Sequence, residues 1–147
     1  MSILTSLGIS GSALTAQRVR MDVISNNIAN AETTRTADGK PYRRQDVVFT
    51  PIDDPTASPI ASRFDPTRPT EEGVQVATIL QDAAPPRMVY DPGHPDADAN
   101  GYVAYPNVDI VTEMTDMISA TRAYEANVTA INAAKNMATK ALEIARG

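Results

Sequence analysis

Hydrophobic residues recur with a helical period at both ends of the chain and lose that period in the middle. From Ile3, alternate steps of four and three residues reach Leu7, Ser10, Leu14, Gln17, Met21, Ile24 and Ile28, and six of these eight positions are apolar. A mean step of 3.5 residues is that of a coiled-coil seam, so the spacing predicts a helix over about residues 2–30. Gly8, Ser10, Gly11 and Ser12 lower helix propensity and predict fraying near its start. Asn26, Asn27 and Asn30, then Thr33 and Thr34, offer side-chain bonds that compete with the helix and predict its end near residue 30. Asn30 is the candidate for a left-handed C-terminal cap.

The second periodic stretch is stronger. Ile110, Met114, Met117, Thr121, Tyr124, Val128, Ile131, Lys135, Ala138, Leu142 and Ala145 keep the same alternation. Val111, Ile118, Ala134, Met137, Ala141 and Ile144 widen the stripe beyond a two-helix seam. A helix over about residues 107–145 follows, roughly 57 Å long at 1.5 Å per residue, against roughly 43 Å for the first. The plain arrangement is a hairpin of two helices. The wide, Ala-rich stripe instead favours arms that bury their faces against several neighbours, because one partner helix covers little of it.

Between the arms the signals are short. Asp38-Gly39 marks a turn, and residues 43–52 (RRQDVVFTPI), 73–80 (GVQVATIL), 87–90 (RMVY) and 102–105 read as brief strands. Residues 51–69 are rich in Pro, Asp, Ser and Thr and read as a loop. At most a small β-hairpin or three-stranded patch is expected. The predicted fold is therefore mainly α: two long terminal helices in a coiled-coil-like packed arm, with a small irregular β insert between them. The expected division is a helical arm over 1–31, a Pro-rich middle over 32–106 and a second helical arm over 107–147.

Composition sharpens this division. All 11 Pro lie between Pro41 and Pro106, and residues 32–106 hold 12 acidic against 7 basic residues, whereas the arms are nearly neutral. The net charge of −5 argues against a nucleic-acid partner. The chain has no Cys and one His, which excludes disulfides, thiolate metal sites and a cysteine nucleophile. No stretch is apolar and long enough to span a bilayer, and the N-terminal region lacks the pattern of a cleaved signal peptide.

Candidate chemistry is sparse. Asp96, Asp98, Asn100 and Gly101 match the first half of an EF-hand loop, but Asn107 stands where the bidentate Glu belongs, so an Asx-type turn is the better reading. His94, between Gly93 and Pro95, reads as an exposed turn residue. Asp53/Asp54 and Glu71/Glu72 read as solvated charges, and Asn127-Val-Thr129 is a glycosylation sequon by pattern alone. No catalytic residue, cofactor site or metal site is expected, and the chain reads as a structural protein rather than an enzyme.

Two motifs at opposite ends carry a resemblance. Residues 25–34 (SNNIANAETT) resemble the S-x-N-[IL]-A-N-x-x-T signature of bacterial flagellar rod and hook proteins, through Asn26, Asn27, Ala29, Asn30 and Thr33. Residues 105–127 resemble the other end of that axial family, through Pro106, Asn107, Val108, Glu113, Arg122, Ala126 and Asn127. With the HPDADANGYV stretch and the short length, the chain is most similar to the family's short proximal rod proteins. The resemblance implies helical assembly with copies of itself and with other rod proteins. It also implies contact with the basal-body membrane ring and the adaptor at its base, and passage through the flagellar type III export apparatus without a cleaved signal. It places the protein in the periplasmic part of the basal body. The implied assembly seam is Ile3, Leu7, Leu14, Met21, Ile24 and Ile28 with Ile110, Met114, Met117, Tyr124, Val128, Ile131 and Leu142. From the residues alone, a soluble helical adaptor or export chaperone remains the alternative.

Overall fold

The computed structural model describes residues 3–52 and 73–146. Helix α1 spans Ile3–Ala29, strands β1 Gln45–Pro51, β2 Val74–Gln81, β3 Arg87–Tyr90 and β4 Tyr102–Tyr105 follow, and helix α2 spans Ile110–Arg146. Both long helices and all four strands fall where the periodicity placed them. The expected loop over 51–69 lies, from residue 53 on, outside the described residues.

The helices pack against each other in antiparallel directions: Asn27 meets Glu113, and Met21 meets Thr121. In the single chain, then, the two arms form the plain hairpin. Small residues line the approach. Ala16 on α1 and Ala120 and Ala134 on α2 are buried, with Val23 and Ile24 of α1 buried as well. The face of α2 that α1 covers runs through Glu113, Met117, Ala120, Tyr124, Asn127, Ile131, Ala134 and Ala138, all buried or half-buried. It shares Met117, Tyr124, Ile131 and Ala138 with the predicted alternation and lies one residue earlier at every other step. Ile110, Met114 and Leu142 accordingly stay exposed.

The strands form two separate two-stranded sheets rather than one patch. Antiparallel β1–β2 pairs Gln45 with Gln81 and Pro51 with Val74, with a bulge between Val48 and Phe49, and packs on α1. Ser12 fastens the two: its Oγ donates to Ile9 O at 2.7 Å and accepts from Val74 N at 3.1 Å. Helix α1 runs unbroken through Gly8 and Gly11. In β3–β4, Arg87 opposes Tyr105 and Tyr90 opposes Tyr102. The β3–β4 pairing is the shorter, with four residues in each strand.

Candidate functional site

Each arm contributes one side chain to a buried polar junction. Asn27, on the last turn of α1, is fully buried and makes four hydrogen bonds. Its amide donates to Gln45 O at 2.8 Å and to Glu113 Oε2 at 3.0 Å. Its oxygen accepts from Tyr42 OH and from Gln45 N, both at 2.9 Å. That is the full capacity of an Asn side chain: two N–H donors and two lone pairs.

Glu113, on the first turn of α2, is equally buried. Its other oxygen accepts from Arg44 Nε at 2.6 Å. Arg44 also lies 3.8 Å from Asp46 and 4.0 Å from Asp116, while Arg20 on α1 bonds Asp116 at 3.2 Å. A continuous network therefore joins α1, the segment entering β1, and α2. Burial alone would lower the Arg44 pKa, but the hydrogen bond and charge of Glu113, helped by Asp46 and Asp116, raise it. The Tyr42 hydroxyl is pushed up, first by burial and then by the charge of Glu113. A buried carboxylate needs such compensation, since an ion pair that loses one partner is strongly destabilising.

The rest of the N-terminal motif shapes the exit. Asn30 does not take the left-handed conformation expected of it: among the described residues every positive φ belongs to a glycine. Its Nδ2 instead donates to Asn26 O at 2.9 Å, and its Oδ1 accepts from Thr33 Oγ1 at 3.2 Å. The helix ends by turning its last carbonyls onto side chains and a tightened final turn, Ala31 N to Ile28 O at 3.3 Å. Asn26 and Ala29 are exposed, and Thr33 is half-buried. At the other end Pro106 is fully buried, Val108 half-buried and Asn107 exposed. Arg122 and Ala126 face solvent, and half-buried Asn127 bonds back to Ala123 O at 2.8 Å. Asp109 caps α2: its carboxylate accepts from Val111 N at 3.0 Å and Thr112 Oγ1 at 2.9 Å. Those bonds, the one from Thr112 foremost, hold its pKa below the usual carboxylate value.

Of the seam residues, Ile24 is buried, and Leu7, Leu14, Met21, Ile28, Met117, Tyr124, Val128 and Ile131 are half-buried within the hairpin. Ile3 begins α1, its side chain lying outside the described set. The junction joins Asn27 and Glu113, one from each family motif. Sequence reasoning marked both as motif positions but missed Arg44 and Tyr42, which carried no periodic signal.

The calcium-loop carboxylates have other employment. Asp98 Oδ1 accepts from Asn100 N at 2.8 Å and Tyr102 N at 2.9 Å, an Asx turn. Asp96 accepts from Thr34 Oγ1 at 2.8 Å and Arg35 at 3.4 Å, tying the β3–β4 turn to the exit of α1. His94 is half-buried rather than exposed: Nδ1 accepts from Asp96 N at 3.1 Å, and the ring meets Tyr105 edge-on. Beside the junction, a crevice lined by Tyr42, Arg44, Asp82 and Asn107 has a volume of about 30 Å³, enough to admit water.

Residues 7–35 match the family model described as "Flagella basal body rod protein", and residues 99–144 match "Flagellar basal body rod FlgEFG protein C-terminal". Asn27 lies within the first match and Glu113 within the second. The chain is 49% identical to "Flagellar basal-body rod protein FlgC" of Borreliella burgdorferi, covering 100% of both chains. It is 48% identical to the protein of that name from Bacillus subtilis, over 99% of this chain and 100% of the other. For the Salmonella typhimurium protein the figures are 43% and 98% of each. The chain belongs to the FlgC family of flagellar basal-body rod proteins. Members of this family are structural parts of the basal body, and the junction is accordingly a piece of architecture: it fixes how the two family-matched arms meet. Among the described residues no helix is long and apolar enough to cross a membrane.

Proposed function

We propose that this chain is a non-enzymatic rod subunit that assembles helically with other rod proteins, its arms forming the inner wall of a drive shaft and export channel. In this reading the helical arms 1–31 and 107–147 make the subunit contacts. The middle, 32–106, lies outside and meets the basal-body ring and the adaptor at its base. The protein reaches the periplasm through the flagellar type III apparatus without a cleaved signal.

The observation that carries the reading is the surface left after the hairpin has closed. Ile110, Val111, Met114, Ile118, Leu142 and Ile144 remain exposed on one helix of a chain already packed. The Ile110–Ile118 cluster, on one side of the helix, is an exposed apolar patch of the kind that marks an interaction site. The family match to rod proteins supports the kind of partner.

Met114→Asp tests it. Met114 is 54% exposed, so the change leaves the isolated fold intact while placing a charge in the proposed subunit contact. Expected are normal synthesis, export and helix content, with loss of rod assembly and motility. Ser119→Asp, exposed on the Thr112/Thr115/Arg122 side of the same helix, serves as the control and should assemble. Normal assembly with Met114→Asp would refute the proposed contact surface.

A further inference from the structure

The β3–β4 hairpin turns an unpartnered face outward. Among the described residues its strands run beside no other helix or strand, and its turn is tied to the exit of α1 through Asp96. Side chains alternate across it. Arg87, Val89, Val103 and Tyr105 take the inner side, where Val103 is fully buried and the Arg87 guanidinium lies 5.9 Å from the centre of the Tyr105 ring. Met88, Tyr90 and Tyr102 take the outer side and are 52%, 65% and 43% exposed. The two outer tyrosines meet edge to face across the strands, ring centres 5.3 Å apart. Two carboxylates flank them. Asp91 follows Tyr90 and accepts from Gly93 N at 3.1 Å through Oδ1, and Asp98 Oδ1 accepts from Tyr102 N at 2.9 Å. Among the described residues neither Oδ2 takes a hydrogen bond or an ion pair, and the outer face carries no cation.

We infer that this face receives an arginine side chain from an extended segment of another protein, a contact that deepens, and rests on, the reading in which the middle of the chain lies outside. The faces of tyrosine rings attract a cation, and carboxylates beside them add to the attraction. A guanidinium meets both demands at once: it stacks flat on a ring while its fork of N–H groups reaches a carboxylate, which the compact ammonium of lysine does less well. The hairpin already uses this pairing on its inner side, where Arg87 sits over Tyr105. Met88 and the tyrosine edges offer apolar cover for the arginine stem. Charge selects the partner. Residues 87–105 hold Asp91, Asp96 and Asp98 against Arg87 alone, and Arg87 points inward. A second copy of this chain, with a net charge of −5, is repelled as a whole, whereas a basic segment is drawn in. The ring pair and the paired strands hold the face in shape beforehand, so little ordering opposes the contact.

The probe is a short blocked peptide alternating alanine and arginine, titrated into isotope-labelled full-length protein and followed by NMR. Expected are saturable shifts confined to residues 88–91 and 98–104, weakening as salt rises, and none with the same peptide carrying glutamine for arginine. Asp91→Asn combined with Asp98→Asn keeps the side-chain oxygens that cap the turn and removes both charges. It should weaken binding about tenfold and flatten the salt dependence. Tyr90→Leu, which keeps apolar cover but removes a ring, should weaken it by a similar factor. Equal shifts with the glutamine peptide, shifts centred elsewhere on the chain, or no shifts overturn the inference, as does an Asn pair that binds like the native chain. Because the chain has no Cys, Met88→Cys gives a unique thiol for a photo-activated cross-linker in isolated basal bodies. A link to another protein beside one of its arginines is expected. A link only to a second copy, or none from a chain present there, overturns the partner and leaves the rod role standing. Arginine-specific shifts in solution with no chain in basal bodies keep the site and refute the rod role.

Discussion

Asn27 shows how much one side chain can hold when all four of its hydrogen-bonding positions are used. Asn27→Ala leaves the Gln45 amide and carbonyl, the Tyr42 hydroxyl and one Glu113 oxygen short of partners. At roughly 1–3 kcal/mol per unsatisfied buried group, the expected loss is about 3 kcal/mol or more in chemical denaturation. Asn27→Asp should cost still more at neutral pH, because it removes both donors and sets a second carboxylate against Glu113. Gln17 is the converse case: its Oε1 is buried without a partner among the described residues. Gln17→Leu should therefore raise the melting temperature of the isolated chain, and a fall would mean that the amide is engaged. Tyr42 adds a pH signature. Its raised pKa means that the folded state favours the neutral phenol, so this contribution is intact below the ordinary value of 10.0 and fades as pH climbs through the higher folded value. Alkaline melts should show that extra loss in the native chain and not in Tyr42→Phe, which starts out less stable because it lacks the bond to Asn27.

Among the elements, the tightest constraints lie where a strand meets something else. Gly73 has φ +118, and a β-carbon there would collide with the Ser12 hydroxyl that ties β2 to α1. Gly101 has φ +81, and its β-carbon would lie 2.9 Å from Tyr90 Cε2. Ala at either position should destabilise by roughly 1–3 kcal/mol. The Gly73 change should also speed amide exchange along β1 and β2, and the Gly101 change along β3 and β4. Ala120, fully buried between the helices, has no room to grow. Ala120→Leu should cost about 1–3 kcal/mol through overpacking, while Ile118→Ala, at an exposed position two residues away, should leave the melt of the isolated chain nearly unchanged. Asp109 caps α2 as a carboxylate with a lowered pKa, so its contribution is present above the ordinary value of 3.8 and is lost as pH falls through the folded one. Asp109→Ala should remove that acid sensitivity, as measured by helix content across an acid titration.

At the scale of the whole molecule, the network from Arg20 through Asp116 and Arg44 to Glu113 and Asn27 makes the two arms and the strand between them one cooperative unit. Arg44→Ala would leave Glu113 charged and buried without its partner, at about 3–5 kcal/mol. Hydrogen exchange should then rise together at the end of α1, the start of β1 and the start of α2. Faster exchange confined to β1 would show that the junction does not couple the arms. The mutual packing of α1 and α2 also bears on the free subunit: most of α1 should resist limited proteolysis, and trimming should begin at the end of α2 beyond Ala138.

The extent of each helix and strand was legible in the sequence because period, proline and turn chemistry are local properties. The 3.5-residue repeat could come only from helices, and the 11 Pro confined the strands to short pieces. Which face of α2 turns inward was not legible. Periodicity counts large apolar residues, whereas close helix contact selected Ala120 and Ala134 and left Ile110, Met114 and Leu142 outside. The motif positions Asn27 and Glu113 stood out in the sequence, but nothing local paired them across 86 residues. Nor could it reveal that Arg44, one of two adjacent arginines, turns inward to neutralise Glu113 while Arg43 faces solvent. A buried charge is tolerable only where its partner arrives from elsewhere in the chain, and only the tertiary structure brings that partner within 2.6 Å.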